Sequence, residues 1–118
     1  MVHSAVKKIT VRFYRSGAGR EPIREWLQEL QRDDCRDIGH DIKTVEYGWP
    51  LGMPLVEKLD RDLWEVRIDL TGNRIARVFF TVVDHVMVLL HGIIKKTQKT
   101  PQQDLTLAKR CRNEVHKS

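Results

Sequence analysis

The stretch LWEVRIDLTGNRIARVFFTVVDHVMVLLHGII (Leu63–Ile94) predicts the main part of the fold. It contains three sequence patterns typical of β-strands, separated by two tight turns. The first pattern alternates between apolar and charged residues, which predicts a strand with one buried face. The turn TGNR (Thr71–Arg74) is typical of a β-hairpin, and Asp84 with His85 predicts the second turn. The two later patterns are apolar on both faces, as in strands inside a sheet. The predicted strands of this antiparallel meander are Leu63–Leu70, Ile75–Val83 and Val86–Ile94.

The segments on either side of the meander predict three helices and one more strand. Residues 6–14 alternate and predict a first strand, and Pro22 opens a helix with an apolar stripe at helical spacing. A second helix is expected over about residues 34–47, with Asp33 or Asp34 as its N-cap. Residues 48–62 hold two prolines and two glycines and predict an irregular loop. Thr100 is the expected N-cap of the last helix, with Pro101 at its first position.

The expected order of elements is therefore β-α-α-β-β-β-α. We expect a small α+β protein in one domain, residues 1–118, with a mostly antiparallel sheet and the first two helices packed as a hairpin on one face. No apolar run approaches the ~20 residues of a membrane span. The N-terminus lacks the apolar segment of a signal peptide, so we expect a cytoplasmic protein. Cys35 and Cys111 have no CxxC partner and are expected to be buried free thiols.

The net charge of +5 is concentrated at the two ends of the chain. Residues 1–28 carry six basic and two acidic groups, and residues 91–118 carry seven basic and two acidic groups. Residues 29–90 instead carry eight basic and twelve acidic groups. If the fold brings the two ends together, the resulting positive surface favours an acidic or nucleic-acid partner.

Arg77 is the sharpest exception to the apolar pattern of the predicted central strand. A buried guanidinium is costly unless it is paired or faces a wet groove. If the hairpin turns on Gly72 and Asn73, Arg67 lies opposite Val78 and one residue out of register with Arg77. A bulge or a slightly longer loop would place the two arginines directly opposite each other. The sequence leaves both registers open.

The segment HGIIKKTQKTP (His91–Pro101) ends the last predicted strand with three lysines. The final 28 residues contain few acids to neutralise them, as the charge counts show. We therefore expect several cations to converge on one face of the sheet. These are Arg67, Arg77, His91, Lys95, Lys96 and Lys99.

Each of these cations also has a plainer interpretation. Arg67 can pair with a neighbouring acid such as Glu65 or Asp69, since the polar face of a sheet is normally solvated. His91 can be a core or edge histidine whose hydrogen bonds are satisfied. The three lysines can form a solvated charge run. The functional interpretation depends on the combination, and no single residue carries it.

Motifs of several other chemistries are missing from the sequence. It contains no P-loop, GxGxxG or HExxH motif and no cluster of His, Cys and Asp at metal-ligand spacing, so no metal or cofactor is expected. RNA can nevertheless be cut without a metal, because its own 2′-OH can attack the adjacent phosphorus. The protein then supplies in-line geometry, a base and cations for the developing charge. A lysine crowded by other cations can have its pKa lowered enough to act as the base, whereas arginine acts as an electrostatic clamp.

Four short sequence motifs, the tokens of the comparison below, resemble those of a known family. They are LWEVR, RVFF, LLHGIIKKTQKTP and LAKR, in this order within Leu63–Arg110. On these tokens the chain closely resembles the RelE/ParE toxin superfamily and, more narrowly, its HigB-like, phage-derived branch. The N-terminal strand and the helical hairpin also fit the RelE-like fold.

The resemblance implies a type II toxin, an endoribonuclease that degrades mRNA in the ribosomal A site without a cofactor. It also implies a cognate helix-turn-helix antitoxin, with operator DNA bound only through the toxin–antitoxin complex, and no membrane partner. By position, Arg67 and Arg77 would stabilise the scissile phosphate, and Lys95 and Lys96 would act as base or phosphate contacts. Candidates for contacts to the RNA backbone are Lys58, Arg61, Arg74 and Lys99.

The C-terminal tail departs from the pattern of this superfamily. Relatives often keep a tyrosine or histidine there as a general base or stacking group, but AKRCRNEVHKS offers only His116, which we expect on a frayed end. His91 or a lysine would then have to serve as the base. On this interpretation Arg77→Ala would abolish growth inhibition without unfolding the chain.

The superfamily also leaves two other functions open. Some of its members share the fold but poison gyrase, which makes a topoisomerase inhibitor that cuts nothing the main alternative. A catalytically inactive partner that binds only the antitoxin and operator DNA is the other.

Overall fold

The meander forms where the alternation of residues 63–94 predicts it, and it organises the rest of the chain. The computed structural model describes residues 6–117. Among these residues no helix is both long and apolar enough to cross a membrane. In chain order the elements are β1 (Thr10–Phe13), α1 (Pro22–Glu29), α2 (Arg32–Gly48), β2 (Val56–Asp60), β3 (Leu63–Leu70), β4 (Arg74–Val83), β5 (Val86–Lys95) and α3 (Gln102–Lys117).

The strands form one sheet of five, in the order β1-β5-β4-β3-β2. β1 runs parallel to β5, and the other three neighbouring pairs are antiparallel. β4 is the middle strand and is buried over most of its length, as its apolar sequence predicts. The α+β class and the mostly antiparallel sheet are therefore confirmed.

Different helices cover the two faces of the sheet. α1 and α2 pack on one face, where Ile23 and Val45 join the larger apolar cluster. α3 packs on the other face, where Ala108 and Cys111 join a smaller cluster. The helical hairpin on one face is confirmed. Cys111 is buried and Cys35 is only partly buried, and both thiols are free.

Residues 48–62 were predicted as an irregular loop, but they contain the strand β2. It pairs antiparallel with β3, from Val56 opposite Val66 to Asp60 opposite Leu63. Its sequence VEKLD is mostly charged and shows little of the alternation that marks the other strands. Charged residues suit an edge strand, because they discourage pairing with other chains. The observed order is therefore β-α-α-β-β-β-β-α.

The predicted N-cap of α2 is wrong, and the side chain of Thr100, the predicted N-cap of α3, binds a residue distant in sequence. The N-cap position of α2 is held by Gln31, which makes no side-chain hydrogen bond to the helix. The carboxylate of Asp34 binds the guanidinium of Arg74 instead. The Thr100 hydroxyl likewise donates to a carboxylate oxygen of Glu65, at 2.8 Å. In each case a charged tertiary partner takes the side chain, because charge-assisted hydrogen bonds are stronger than neutral ones.

The two basic ends of the chain lie next to each other. β1 is shorter than the predicted strand over residues 6–14, and it lies beside β5 in the sheet. A groove of about 450 Å³ is lined by Arg12 and Arg15 after β1 begins and by Glu114 and Val115 near the end of α3. The fold therefore meets the condition on which the sequence predicted a local positive surface.

Candidate functional site

Arg67 and Arg77 lie directly opposite each other on neighbouring strands. The loop between β3 and β4 spans three residues, Thr71–Asn73, so the longer-loop alternative is the one that the structure adopts. Gly72 and Asn73 both have positive φ, at 76° and 58°. Since facing residues of a sheet point to the same side, both arginines lie on the face that α3 covers.

Arg77 is fully buried, and its guanidinium is held from two sides. Its Nη2 donates to the carbonyl oxygens of Thr97 at 2.7 Å and Gln98 at 2.6 Å. Its Nε lies 3.3 Å from Oε1 of Glu65, which is also fully buried. Burial lowers the pKa of Arg77 below its usual value, against the opposing attraction of Glu65. Because Arg77 has no accessible surface, it could stabilise a phosphate only from a distance.

Glu65 was predicted on a polar face, but it is one of the most buried side chains. Its Oε1 accepts the hydroxyl proton of Thr100 and faces Arg77. Burial raises the pKa of Glu65 above its usual value, and the Thr100 hydrogen bond and the Arg77 charge oppose that shift. Oε2 of Glu65, and Nε and Nη1 of Arg77, are buried without a hydrogen-bond partner. The pair is held by charge more than by complete hydrogen bonding.

Arg67 is the exposed counterpart of Arg77. Its side chain keeps 20 % of its surface accessible, and Nη2 donates to the carbonyl oxygen of Gln98 at 3.0 Å. Two guanidinium groups thus converge on one backbone oxygen. The carboxylates nearest to Arg67 are those of Glu57 at 3.9 Å and Glu65 at 4.0 Å. Arg67 also lines a groove of about 370 Å³ with Asp69 and Gln98.

The three lysines of the predicted cluster lie at the surface above this buried pair. Lys95 ends β5 opposite Ile75, and Lys96 and Lys99 belong to the irregular segment of residues 96–100 that leads to α3. All three lysines are exposed. The structure therefore brings Arg67 and the lysines to one side of the sheet.

His91 lies on the same face but is packed. Its ring stacks on Phe79, with centroids 5.7 Å apart and planes 17° apart. Its Nε2 lies 2.8 Å from Oδ1 of Asp104 on α3, and about a fifth of each side chain is exposed. His91 is therefore oriented by an aromatic ring and a carboxylate, and it remains reachable from solvent.

Arg74, a predicted RNA contact, keeps 29 % of its side chain exposed, and its guanidinium binds groups of the protein itself. It forms two hydrogen bonds to Asp34, at 2.8 and 2.9 Å, and donates to the carbonyl oxygen of Thr71 at 2.9 Å. The hydrogen bonds from Arg74 lower the pKa of Asp34 below its usual value. This geometry makes Arg74 a link between the start of α2 and the β3–β4 hairpin.

Lys58 and Arg61 lie away from the lysine segment. Lys58 is exposed on β2, and its Nζ lies 5.7 Å from the ring centroid of Trp64. Trp64 packs with the cluster under α1 and α2, so Lys58 points to the opposite face from Arg67. Arg61 is exposed in the β2–β3 turn, at the far end of β3 from the hairpin. The structure does not bring these two predicted RNA contacts into the site.

The sequence indicated Glu65 as a possible partner of Arg67, but not its contacts with Arg77 and Thr100. It gave no sign of Asp104, which binds His91. His116, expected on a frayed end, lies in α3 with its Nε2 2.8 Å from the hydroxyl oxygen of Thr81.

Metal-ligand clusters do not occur in the part of the chain that the structure describes. Residues 6–117 contain no group of three or more His, Cys, Asp or Glu side chains placed to hold a metal ion. The chemical resources of the site are thus cations, one histidine–carboxylate pair and a buried arginine–glutamate pair.

Together the fold and the site define a small α+β protein that gathers exposed cations at one end of its sheet, over a buried arginine–glutamate pair. Residues 25–113 match the model of the family described as "Phage derived protein Gp49-like (DUF891)". This match covers most of the chain, and the protein belongs to that family, which is of the RelE-like, toxin-like type. No curated protein matches the chain.

Proposed function

We propose that this protein is the toxin of a type II toxin–antitoxin system, of the HigB-like branch, and that it cuts mRNA on the ribosome. The observation that carries the proposal is the group of cations on one side of the sheet, the partly exposed Arg67 and the exposed Lys95, Lys96 and Lys99. Membership of a toxin-like, phage-derived family supports the same class. A polyanion is the partner that such a surface fits.

In the proposed reaction, the RNA 2′-oxygen attacks the adjacent phosphorus. The new 2′-O–P bond forms as the P–O5′ bond breaks, which leaves a 2′,3′-cyclic phosphate and a 5′-hydroxyl that takes up a proton. Arg67 and the lysines stabilise the charge that develops on the phosphorane oxygens. Arg77 is buried and does not contact the RNA in this proposal. It acts by binding the backbone carbonyls of Thr97 and Gln98 in the segment of residues 96–100.

His91 is the candidate general base that the geometry supports best. When its Nε2–H donates to Asp104, its Nδ1 keeps a lone pair that can accept the 2′-OH proton. The carboxylate then fixes the tautomer and the ring orientation, as partner groups commonly do for catalytic histidines. A lysine of the segment is the other candidate, since neighbouring cations can lower a lysine pKa.

The proposed partners follow from the same class of toxin. They are the ribosomal A site with its mRNA and rRNA, and a cognate helix-turn-helix antitoxin that neutralises the toxin. Operator DNA would be bound only through the complex of the two proteins. The proposed location is the cytoplasm, where translation occurs.

The test is to add the purified protein to a bacterial translation extract and to map new RNA 5′ ends by primer extension. Lys96→Ala with Lys99→Ala removes two exposed charges, and Lys43→Ala, an exposed lysine of α2 on the other face, is the matched control. We expect cuts within translated frames that need active ribosomes. The double variant should lose most cutting, and Lys43→Ala should keep it.

A parallel arm measures gyrase supercoiling of plasmid DNA. Intact mRNA together with inhibited supercoiling would replace the nuclease by the gyrase-inhibiting alternative. Intact mRNA and unaffected gyrase, with tight antitoxin binding, would favour the inactive partner. RNA cuts that appear equally on naked RNA would contradict the ribosome dependence.

A further inference from the structure

Glu65 is a buried carboxylate that the sequence indicated only as a possible partner of Arg67. We propose that Glu65 is a positioning residue: through Arg77 and Thr100 it fixes the segment of residues 96–100, and with it the segment's lysines. We call the three side chains Glu65, Arg77 and Thr100 the buried clamp. Its effect on the reaction rests on the proposed function, whereas its hold on the segment can be measured in the free protein.

One oxygen atom joins the three parts of the clamp. Oε1 of Glu65 on β3 accepts from the Thr100 hydroxyl at 2.8 Å, just before α3 begins. The same oxygen lies 3.3 Å from Nε of Arg77 on β4. Glu65 therefore connects two central strands to the chain that leads into α3.

Arg77 extends the clamp to the backbone of the segment. Its Nη2 binds the carbonyl oxygens of Thr97 and Gln98, and these are main-chain atoms. The side chains of residues 96–99 are exposed, so they add little packing of their own. The buried guanidinium of Arg77 therefore fixes the backbone path of this segment.

The charge of Glu65 is what keeps this cation in place. A buried guanidinium without a counter-ion is strongly unfavourable, and it would move toward water or loosen its surroundings. Glu65 is the carboxylate in contact with Arg77 among the described residues. Removing its charge should therefore free the segment even though no lysine is altered.

The clamp acts through position and not through contact with RNA. Glu65 and Arg77 have no accessible surface, and the lysines that they hold in place are exposed. Loosening the segment leaves the number of surface charges unchanged, so salt-dependent RNA binding should persist. Loss of alignment alone can lower a reaction rate by ~10- to 100-fold. A positioning role therefore predicts slow cleavage with nearly normal affinity.

Thr100 offers the cleanest test, because its changes alter no charge. Thr100→Val removes the hydroxyl at nearly constant shape, Thr100→Ser keeps it, and Thr106→Val is a matched change at an exposed position of α3. Glu65→Gln is the second variant, with the exposed Glu29→Gln as its control. For each protein we would measure amide hydrogen exchange of residues 96–100, RNA affinity, and single-turnover cleavage on programmed ribosomes.

We expect Thr100→Val and Glu65→Gln to speed exchange in the segment and to slow cleavage by ~10-fold or more, with RNA affinity within about 3-fold of wild type. Thr100→Ser should restore both properties, and the two controls should leave them unchanged. Unchanged exchange in both clamp variants would overturn the proposal, as would an equal loss of affinity and rate. If the wild type cuts no RNA, the proposed function fails, and the exchange data still decide whether the clamp exists.

Discussion

Arg77 and Glu65 are both completely buried, and three of their polar atoms have no hydrogen-bond partner. A buried ion pair stabilises a protein little in itself, because desolvation of both groups offsets their attraction. Removing one member is different, since it leaves an unpaired charge in the interior. The sequence-based expectation that Arg77→Ala leaves the chain folded is therefore replaced by an expectation of strong destabilisation.

We predict that Arg77→Met lowers the free energy of unfolding by about 3–5 kcal/mol at pH 7, because Glu65 is left as an uncompensated buried carboxylate. The measurement is urea unfolding of the single variants and of Glu65→Leu with Arg77→Met. The double variant should cost less than the sum of the single ones, with a coupling of roughly 0.5–3 kcal/mol.

Arg67→Met is the control for this cycle, because Arg67 faces Arg77 but remains partly exposed. Its effect on the free energy of unfolding should be clearly smaller. Strict additivity of the Glu65 and Arg77 changes would contradict a direct energetic link between the two side chains.

Arg67 and Arg77 also show how much of the site could be predicted from the sequence. The sequence singled out Arg67 and Arg77 through the alternation along β3 and the composition of β4, but it left open whether the two lie on one face. It also could not tell that Arg67 is partly exposed and Arg77 buried. That difference arises because residues 96–100 fold back over Arg77, and this irregular segment has no periodic pattern from which its path could be inferred.

The packing of α1 on β5 includes a close contact at Gly92. A Cβ atom added to Gly92 would lie 2.5 Å from Cε3 of the Trp26 ring, and Val78, its partner on β4, is buried. The indole therefore rests on a strand surface that has no side chain at this position. This packing explains why a glycine stands inside a central strand, where it usually weakens the sheet.

We predict that Gly92→Ala destabilises the protein by about 1–3 kcal/mol, because the methyl group forces the indole or α1 to move. Gly39→Ala is the matched control, since nothing lies within 4 Å of an added Cβ there and alanine favours the helix. Urea unfolding measures both changes. Equal free energies for the two variants would mean that Trp26 does not pack as the structure has it.

A charged pair joins α2 to the β3–β4 hairpin. The two hydrogen bonds from Arg74 lower the pKa of Asp34 below its usual value of 3.8. An acid with a lowered pKa in the folded state adds stability above the unfolded pKa, and that stability is lost as the pH falls through the folded pKa. The link should therefore be intact at neutral pH and should fail in acid.

We predict that Asp34→Asn lowers the urea midpoint at pH 7 and that its difference from wild type shrinks as the pH falls below 3.8. Asp33→Asn is the control, because that carboxylate is 75 % exposed and its pair with Arg36 is a surface one. A difference for Asp34→Asn that stays constant down to low pH would show that the charge on Asp34 is not what matters.

The elements that the sequence predicted well are those with a regular pattern. Four strands, three helices and the hairpin on one face followed from periodicity and turn residues. β2 was not predicted, because the sequence of a mostly charged edge strand resembles that of a loop. The side chains of Asp34 and Thr100, both predicted as helix caps, bind Arg74 and Glu65, which are distant in sequence. Local signals carry no information about such partners.

The uneven distribution of charge along the sequence becomes an uneven distribution of charge over the protein surface. Both basic chain ends lie at β5, since β1 is its neighbour and α3 follows it. The acidic α2 lies on the opposite face, where Glu46 accepts the backbone N–H of Val11. The basic residues of the two chain ends are thus concentrated around β5, a charge distribution of the kind that steers polyanions.

We predict that RNA binding weakens steeply with salt and that the lysine segment accounts for part of the slope. Each phosphate contact to a single strand contributes about 0.7 to the slope of log K against log salt concentration, because a counterion is released. Lys96→Ala and Lys99→Ala should each reduce the slope by roughly that amount. Lys43→Ala, exposed on the opposite face, should leave it unchanged. Fluorescence anisotropy with single-stranded RNA between about 50 and 200 mM salt measures these slopes.

A flat salt response of the wild type would show that this face recognises shape or a protein. Equal slopes for all three variants would show that RNA binds elsewhere than at the lysine segment.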